Sequence, residues 1–159
     1  MRFGRLTNIA GFLGFSGLAI ATGILIFTSR EEQQHLFDTS VGAEIYAATC
    51  ASCHGANLQG QPDWQTPNAD GSLPPPPHNE DGHTWHHSDR VLLDYIRLGG
   101  AMALAQSGVE NFNSGMPEFG SVLTEAEIDA VLDYIKSSWP ENIKTVQIDR
   151  TKLDEEMNQ

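Results

Sequence analysis

Cysteine is scarce in this chain, which has two in 159 residues, three positions apart. A domain held together by several disulfide bonds is therefore excluded. Lysine and arginine are also scarce: there are nine, against 21 acidic residues, and Arg2, Arg5 and Arg30 precede every acidic one. Residues 31–159 thus carry six basic and 21 acidic side chains, a formal charge of −15. Nucleic acid is excluded as a partner, because binding its phosphates requires a cationic surface.

Strand-rich segments and internal repeats are also lacking, and the regular patterns that remain are helical. A helix is predicted over residues 41–51, with Asp38, Thr39 or Ser40 as its cap. Ser88 is predicted to cap a second helix, which ends at Gly99-Gly100, and Thr124-Glu125-Ala126-Glu127 is a capping box that begins a third. Residues 57–87 show turn and polyproline patterns without a helical period. The sequence predicts an all-α fold.

The two cysteines lie in Cys50-Ala51-Ser52-Cys53-His54, the Cys-x-x-Cys-His pattern of covalent c-type haem attachment. Residues three apart share a helix face, so both thiols can bond to one porphyrin while His54 binds the iron from the same side. The alternatives are a redox disulfide, a zinc site and a chance occurrence. A redox disulfide suits a βαβ setting, and zinc requires two further ligands at compact spacing; we find neither pattern. We predict one covalently bound haem c.

A second axial ligand is expected, because low-spin electron carriers close the sixth iron position with a strong side chain, and a thioether there raises the potential. Of the four methionines, Met1 and Met157 lie at the termini. Met116 lies between Gly115 and Pro117, which together favour a tight loop rather than a helix. We predict Met116 as the ligand and Met102 as a core or haem-edge residue, although most methionines simply fill cores.

Over about residues 41–140 the chain resembles the class I mono-haem cytochrome c family, in its membrane-anchored bacterial type. The resemblance rests on the haem motif followed by Gly55, on the Gly-Met-Pro loop and on a last helix that carries Tyr134. It implies about three to five helices around one haem. It also implies that the first and last helices cross at Gly42, Tyr46 and Tyr134. A proline carbonyl should orient His54, and the candidates are Pro62, Pro74, Pro75, Pro76 and Pro77.

A membrane anchor is predicted at the amino terminus. Residues 6–29 carry no charge, and at about 1.5 Å per residue they are long enough to cross a hydrocarbon core of about 30 Å. Arg2 and Arg5 precede this run and should stay on the cytoplasmic side. A cleaved signal peptide is the alternative, with a site at Ala19-Ile20-Ala21, but the apolar run continues beyond that site.

The predicted organisation has four parts: a transmembrane signal anchor at residues 1–30, a linker at 31–40, the cytochrome c domain at 41–140 and an acidic extension at 141–159. The extension is predicted to be solvated. Alternatively, its apolar residues pack on the domain or on a partner: Ile143, Val146 and Ile148.

Four histidines, His78, His83, His86 and His87, surround Trp85 within ten residues. Such a cluster is able to bind copper or zinc. We favour a different role, in which Trp85 and a histidine hydrogen-bond a haem propionate. Some small bacterial cytochromes of the family are similar in this run.

The resemblance implies an electron carrier and not an enzyme, with cofactor-binding residues Cys50, Cys53, His54, Met116, Tyr46 and Trp85. The iron ligands among them are His54 and Met116. The expected location is the periplasmic face of a bacterial cytoplasmic membrane, and the expected partners are redox proteins, a quinol-oxidising complex and a terminal oxidase, with no small-molecule substrate. Two alternatives remain: a fixed haem subunit of a periplasmic dehydrogenase or other redox enzyme, and a metal-handling protein that uses the histidines.

Overall fold

The computed structural model describes residues 33–35 and 38–159, and every regular element in these ranges is helical. The chain divides into two compact units, Met1–Leu36 and Phe37–Gln159. The first unit is described only at residues 33–35, and the transmembrane segment predicted at 6–29 lies outside the described residues. In the described ranges, no helix is both long and apolar enough to cross a bilayer. The all-α prediction is confirmed for this part of the chain.

The second unit has six α-helices in the part that the structure describes. They are α1 at residues 38–49, α2 at Ala51–His54, α3 at Asp89–Leu98, α4 at Gly100–Gln106, α5 at Glu125–Ser137 and α6 at Glu141–Met157. One 3₁₀ turn, Thr84–His86, interrupts the irregular segment between α2 and α3.

Helices α3 and α5 begin at the predicted caps. The Ser88 hydroxyl accepts a hydrogen bond from the Val91 amide, and Gly99, with φ +75°, ends α3. At α5 the capping box is complete: the Thr124 hydroxyl accepts from the Glu127 amide, and the Glu127 carboxylate accepts from the Thr124 amide. These local patterns satisfy amides that have no partner inside the helix.

The predictions for α1 and α4 were less accurate. Helix α1 already includes residues 38–40, so the three proposed caps and the end of the proposed linker are helical. Helix α4 was not predicted. Gly99 does end α3, but a new helix begins at once at Gly100.

The buried core joins α1, α3 and α5. The buried side chains on these helices are Tyr46, Leu92, Ile96, Ile128, Val131, Leu132 and Ile135, and Leu58 and Trp139 from outside the three helices complete the cluster. Gly42 lies where α1 crosses α5, and a methyl group added there would collide with the Ala130 carbonyl and lie 3.0 Å from the Tyr134 Cβ. The close crossing of the two helices therefore requires glycine at position 42.

Gly42→Ala should destabilise the domain by about 3 kcal/mol or more, because the new methyl group meets backbone that cannot move without separating the helices. In an uncrowded helix the same change stabilises the protein by about 0.5–1 kcal/mol. The sign of the change in the free energy of unfolding therefore distinguishes a crowded helix crossing from an uncrowded one. Urea unfolding followed by circular dichroism measures the effect. Gly115→Ala is the control, since its added methyl group meets nothing within 4 Å. A Gly42→Ala protein as stable as the parent would contradict the described crossing.

The carboxy-terminal segment differs from the solvated extension predicted for it. Residues 141–157 form α6, which contacts the 3₁₀ turn and α3. Ile143 packs against the core and Gln147 is 1% exposed, whereas Val146 and Ile148 are 45% and 46% exposed. The alternative, packing on the domain, therefore holds for Ile143. The buried Gln147 makes polar contacts, which an apolar pattern does not reveal.

Candidate functional site

The two cysteines and His54 are presented by the end of α1 and by α2. The Cys50 carbonyl accepts hydrogen bonds from the Cys53 amide at 3.1 Å and from the His54 amide at 2.9 Å. Cys50 is half-buried, Cys53 is exposed, and both thiols are free. Burial raises the pKa of the Cys50 thiol, while a hydrogen bond with Thr49 acts in the opposite direction. Two unpaired thiols thus lie one helical turn apart, directly before a histidine.

His54 is held in one orientation by the proline-rich loop. Its Nδ1 lies 3.0 Å from the Pro76 carbonyl oxygen, and its side chain is nearly buried. A carbonyl only accepts hydrogen bonds, so Nδ1 carries the proton and the Nε2 lone pair remains available. Burial lowers the pKa of His54, which favours the neutral ring, and the hydrogen bond to Pro76 partly offsets this effect. Neutral imidazole is the form that binds metals.

Pro76 lies beside α2 because the backbone at residues 60–61 closely approaches the backbone at residues 75–77. The Gly60 amide donates to the His54 carbonyl at 2.7 Å, and the Gln61 amide donates to the Pro75 carbonyl at 2.9 Å. A side chain at Gly60, where φ is +65°, would collide with the backbone of Pro76 and Pro77. Among the five proline candidates, the structure therefore selects Pro76 as the one that orients His54.

Tyr46 connects α1 to the residue that follows the histidine. Its hydroxyl donates to the Gly55 carbonyl at 3.0 Å, and its ring lies 5.3 Å from the Tyr134 ring. The side chain is 1% exposed, and burial raises the pKa of its hydroxyl. Tyr46 therefore fixes the helix crossing and the end of the histidine motif together.

Met116 lies half-buried against the core on a segment fixed at both ends. The Gly100 amide donates to the Met116 carbonyl at 3.1 Å, and the Met116 amide donates to the Ser114 hydroxyl at 3.2 Å. The Phe119 amide then donates to the Ile96 carbonyl at 3.0 Å. Met102, on α4, is 55% exposed and does not pack in the core of the described residues. Met116 is thus the methionine held in place by the fold.

Trp85 supplies a buried donor without an acceptor. Its Nε1 has no hydrogen-bond partner among the described residues, although its ring stacks on His86 with centroids 3.7 Å apart. A buried N–H normally has an acceptor, and a carboxylate is a strong one. A haem propionate would satisfy this atom, so Trp85 fits the predicted cofactor.

The four histidines do not converge on one point. The ring of His78 stacks on that of His54 at 4.1 Å, and its Nδ1 donates to the Thr84 hydroxyl, which itself donates to the Pro77 carbonyl. His83 stacks on Trp64 at 5.1 Å. Across residues 33–35 and 38–159, no group of three or more His, Cys, Asp or Glu side chains is arranged to hold a metal ion.

Two contributors to the site were not singled out from the sequence. His78 was considered only within the histidine cluster, yet it packs directly on the His54 ring. Trp139, 2% exposed, donates through Nε1 to the His78 carbonyl at 2.7 Å. Neither contact has a local pattern, because Trp139 and His78 are 61 positions apart.

The segments around this site carry no positive side chain. Residues 38–89 and 98–135 contain no lysine or arginine, whereas nine of their acidic residues are exposed: Glu44, Asp63, Asp70, Glu80, Asp81, Glu110, Glu118, Glu125 and Asp129. Most of the basic residues of the described part lie outside these two ranges and are held in ion pairs, such as Arg90 with Asp154 and Arg97 with Glu125. The surface around the site is therefore anionic.

Comparisons with known proteins agree with this geometry. A family model described as cytochrome c matches residues 40–139. The fructose dehydrogenase cytochrome subunit of Gluconobacter japonicus is 28% identical over 129 residues, which cover 78% of this chain and 24% of that protein. The chain thus spans about a quarter of the length of that relative. No solved structure matches the chain.

Proposed function

From the premise that this chain belongs to the cytochrome c family, we propose that it is a membrane-anchored mono-haem electron carrier of the bacterial periplasm. Electron transfer and a covalent haem c follow from the family. The anchor, the location and the identity of the partners are our proposal. We expect it to carry single electrons from a quinol-oxidising complex to a terminal oxidase.

The observation that carries this proposal is the His54–Pro76 hydrogen bond, 3.0 Å long, directly after the two free thiols. Cys50 and Cys53 would hold the haem covalently, and His54, whose Nδ1 already donates to Pro76, would offer Nε2 to the iron. When bound, haem c supplies a one-electron iron couple.

The other residues would set the surroundings of the cofactor. Met116 would bind the iron through its thioether sulfur, and a thioether ligand favours the reduced state. Trp85 would donate to a propionate, while Tyr46 holds α1 against the His54-Gly55 turn. Membership of the cytochrome c family indicates an electron carrier rather than a catalyst.

Gly99 should control how well Met116 is presented. A methyl group there would lie 2.8 Å from the Glu118 amide and 2.9 Å from the Met116 carbonyl, at a φ of +75°. We expect Gly99→Ala to displace the methionine segment and to open the haem to carbon monoxide in a large fraction of molecules. Absorbance titration with carbon monoxide measures this fraction.

Gly108→Ala is the matched control for that experiment, because Gly108 also has a positive φ, +85°, but its added methyl group meets nothing within 4 Å. Both variants introduce backbone strain, and only Gly99→Ala crowds the methionine segment. Equal carbon monoxide binding by the two variants would show that strain, and not contact with the segment, is responsible.

The proposed anchor rests on the uncharged run at residues 6–29. We expect the mature protein to begin at or near Met1 and to remain in the membrane fraction after a high-salt wash, because an apolar span is held by burial and not by charge. Amino-terminal sequencing and fractionation test this. A soluble periplasmic haem protein beginning near Thr22 would establish a cleaved signal peptide instead.

A second candidate is a fixed haem subunit of a periplasmic dehydrogenase. The similarity to a dehydrogenase cytochrome subunit favours it, although that similarity covers about a quarter of the relative. Purification from the native membrane in mild detergent distinguishes the two. A stoichiometric dehydrogenase subunit that co-purifies at every step would support the fixed subunit, and a haem protein recovered alone would support the carrier.

A further inference from the structure

We propose that Gln147 in α6 is a positioning residue for Trp85, and that α6 thereby helps to set the potential of the haem. This inference rests on the proposed function. Helix α6 lies beyond residues 40–139, the part matched by the family model, so family membership does not account for it.

The segment that carries Trp85 is held from its two ends by the carboxy-terminal part of the chain. At the first end, the Trp139 indole N–H donates to the His78 carbonyl at 2.7 Å. At the second end, the Gln147 Nε2 lies 3.2 Å from the His87 carbonyl oxygen and 2.6 Å from an Asp89 carboxylate oxygen. Trp85 lies between these two attachments.

The Gln147 side chain is buried in the contact between α6 and the segment that carries Trp85. It is 1% exposed, and among the described residues it is one of the most buried side chains of any kind. Its amide nitrogen has two hydrogens for three nearby acceptors, the third being the Thr151 hydroxyl at 3.1 Å. Removing the amide would leave the His87 carbonyl without this donor, two residues after Trp85.

Three further residues at the start of α3, Ser88, Asp89 and Arg90, contact α6. The Asp89 amide donates to the Thr151 hydroxyl at 3.1 Å, and the Ser88 hydroxyl donates to the Asp154 carboxylate at 3.0 Å. Arg90 makes two hydrogen bonds of 2.7 Å to the same carboxylate. Helix α6 therefore has a defined register on the turn that carries Trp85, with Gln147 as its buried member.

The position of Trp85 matters because its Nε1 is the buried donor without an acceptor. A donor to a propionate offsets negative charge near the iron, and negative charge favours the ferric state. Displacement of Trp85 should therefore lower the midpoint potential. Loss of the Gln147 amide should also lower the midpoint potential, but by less, because its effect is transmitted through the position of Trp85.

The test compares midpoint potentials of the full-length holoprotein in four variants: Gln147→Leu, Trp85→Phe, the double variant and Asn142→Leu. The last is the control, since it replaces an exposed amide of α6 by the same apolar side chain. We expect Trp85→Phe to lower the potential most, Gln147→Leu to lower it less and Asn142→Leu to leave it unchanged. In the Trp85→Phe background, Gln147→Leu should have no further effect.

Two results would overturn the inference: an unchanged potential in folded Gln147→Leu protein, or a shift of equal size with and without Trp85. If Gln147→Leu fails to fold, Thr151→Val, which removes the neighbouring hydroxyl, must give the Trp85-dependent shift. Absence of haem on the denatured parent chain would instead refute the proposed function. The two failures are thus separable.

Discussion

Met116→Ala should leave the haem attached to the chain but open its sixth coordination position, so that carbon monoxide binds stoichiometrically to the reduced variant and hardly at all to the parent. Attachment depends on Cys50 and Cys53, which the substitution does not touch. Axial ligands set haem potentials over a range of about 0.8 V, and a thioether raises the potential. We therefore also expect a marked fall in midpoint potential.

Met102→Ala is the control for this result, because it removes the same side chain from a residue that is 55% exposed. It should bind no more carbon monoxide than the parent. The contacts that hold the Met116 segment are made by backbone groups and by the Ser114 hydroxyl, not by the Met116 side chain, so they survive the truncation to alanine. If Met102→Ala opens the iron and Met116→Ala does not, the ligand assignment is wrong.

The second large effect is expected in the salt dependence of electron transfer. The six basic and 21 acidic residues after Arg30 leave a charge of −15, and the segments around the haem site contain no lysine or arginine. A soluble form from Glu31 onward must find a basic surface on its partner by diffusion. Steering of this kind raises association rates by about 10–10³-fold and is screened by salt.

The screening length falls from about 30 Å at 0.01 M to about 8 Å at 0.15 M ionic strength. Over this range we expect the rate of the truncated form to fall by about 10-fold or more. The anchored form in native membranes should change only slightly, because tethering already supplies a high local concentration. Stopped-flow oxidation by the same partner complex measures both slopes, and equal slopes would refute a mechanism in which the anchor shapes the encounter.

Much of the fold could be predicted because its signals are local. The Ser88 cap, the glycine that ends α3 and the Thr124–Glu127 capping box each involve residues a few positions apart, and all three are present. The two features that were not predicted, α4 and the packing of α6 on the domain, lack such local sequence signals. Helix α4 begins immediately after a glycine that ends another helix, and α6 is fixed by hydrogen bonds to residues about 60 positions away.

The sequence by itself determined the chemistry of this protein: two thiols and a histidine at fixed spacing, a methionine between glycine and proline, and an acidic surface. These depend on residue type and on short separations along the chain. Only the tertiary structure decided that Pro76 orients His54 from 22 positions away, that His78 stacks on His54, and that α6 holds the Trp85 segment. The physical reason is that such contacts depend on how the helices pack. The sequence offers several prolines, histidines and polar side chains of equivalent chemistry, and only packing brings one of each into place.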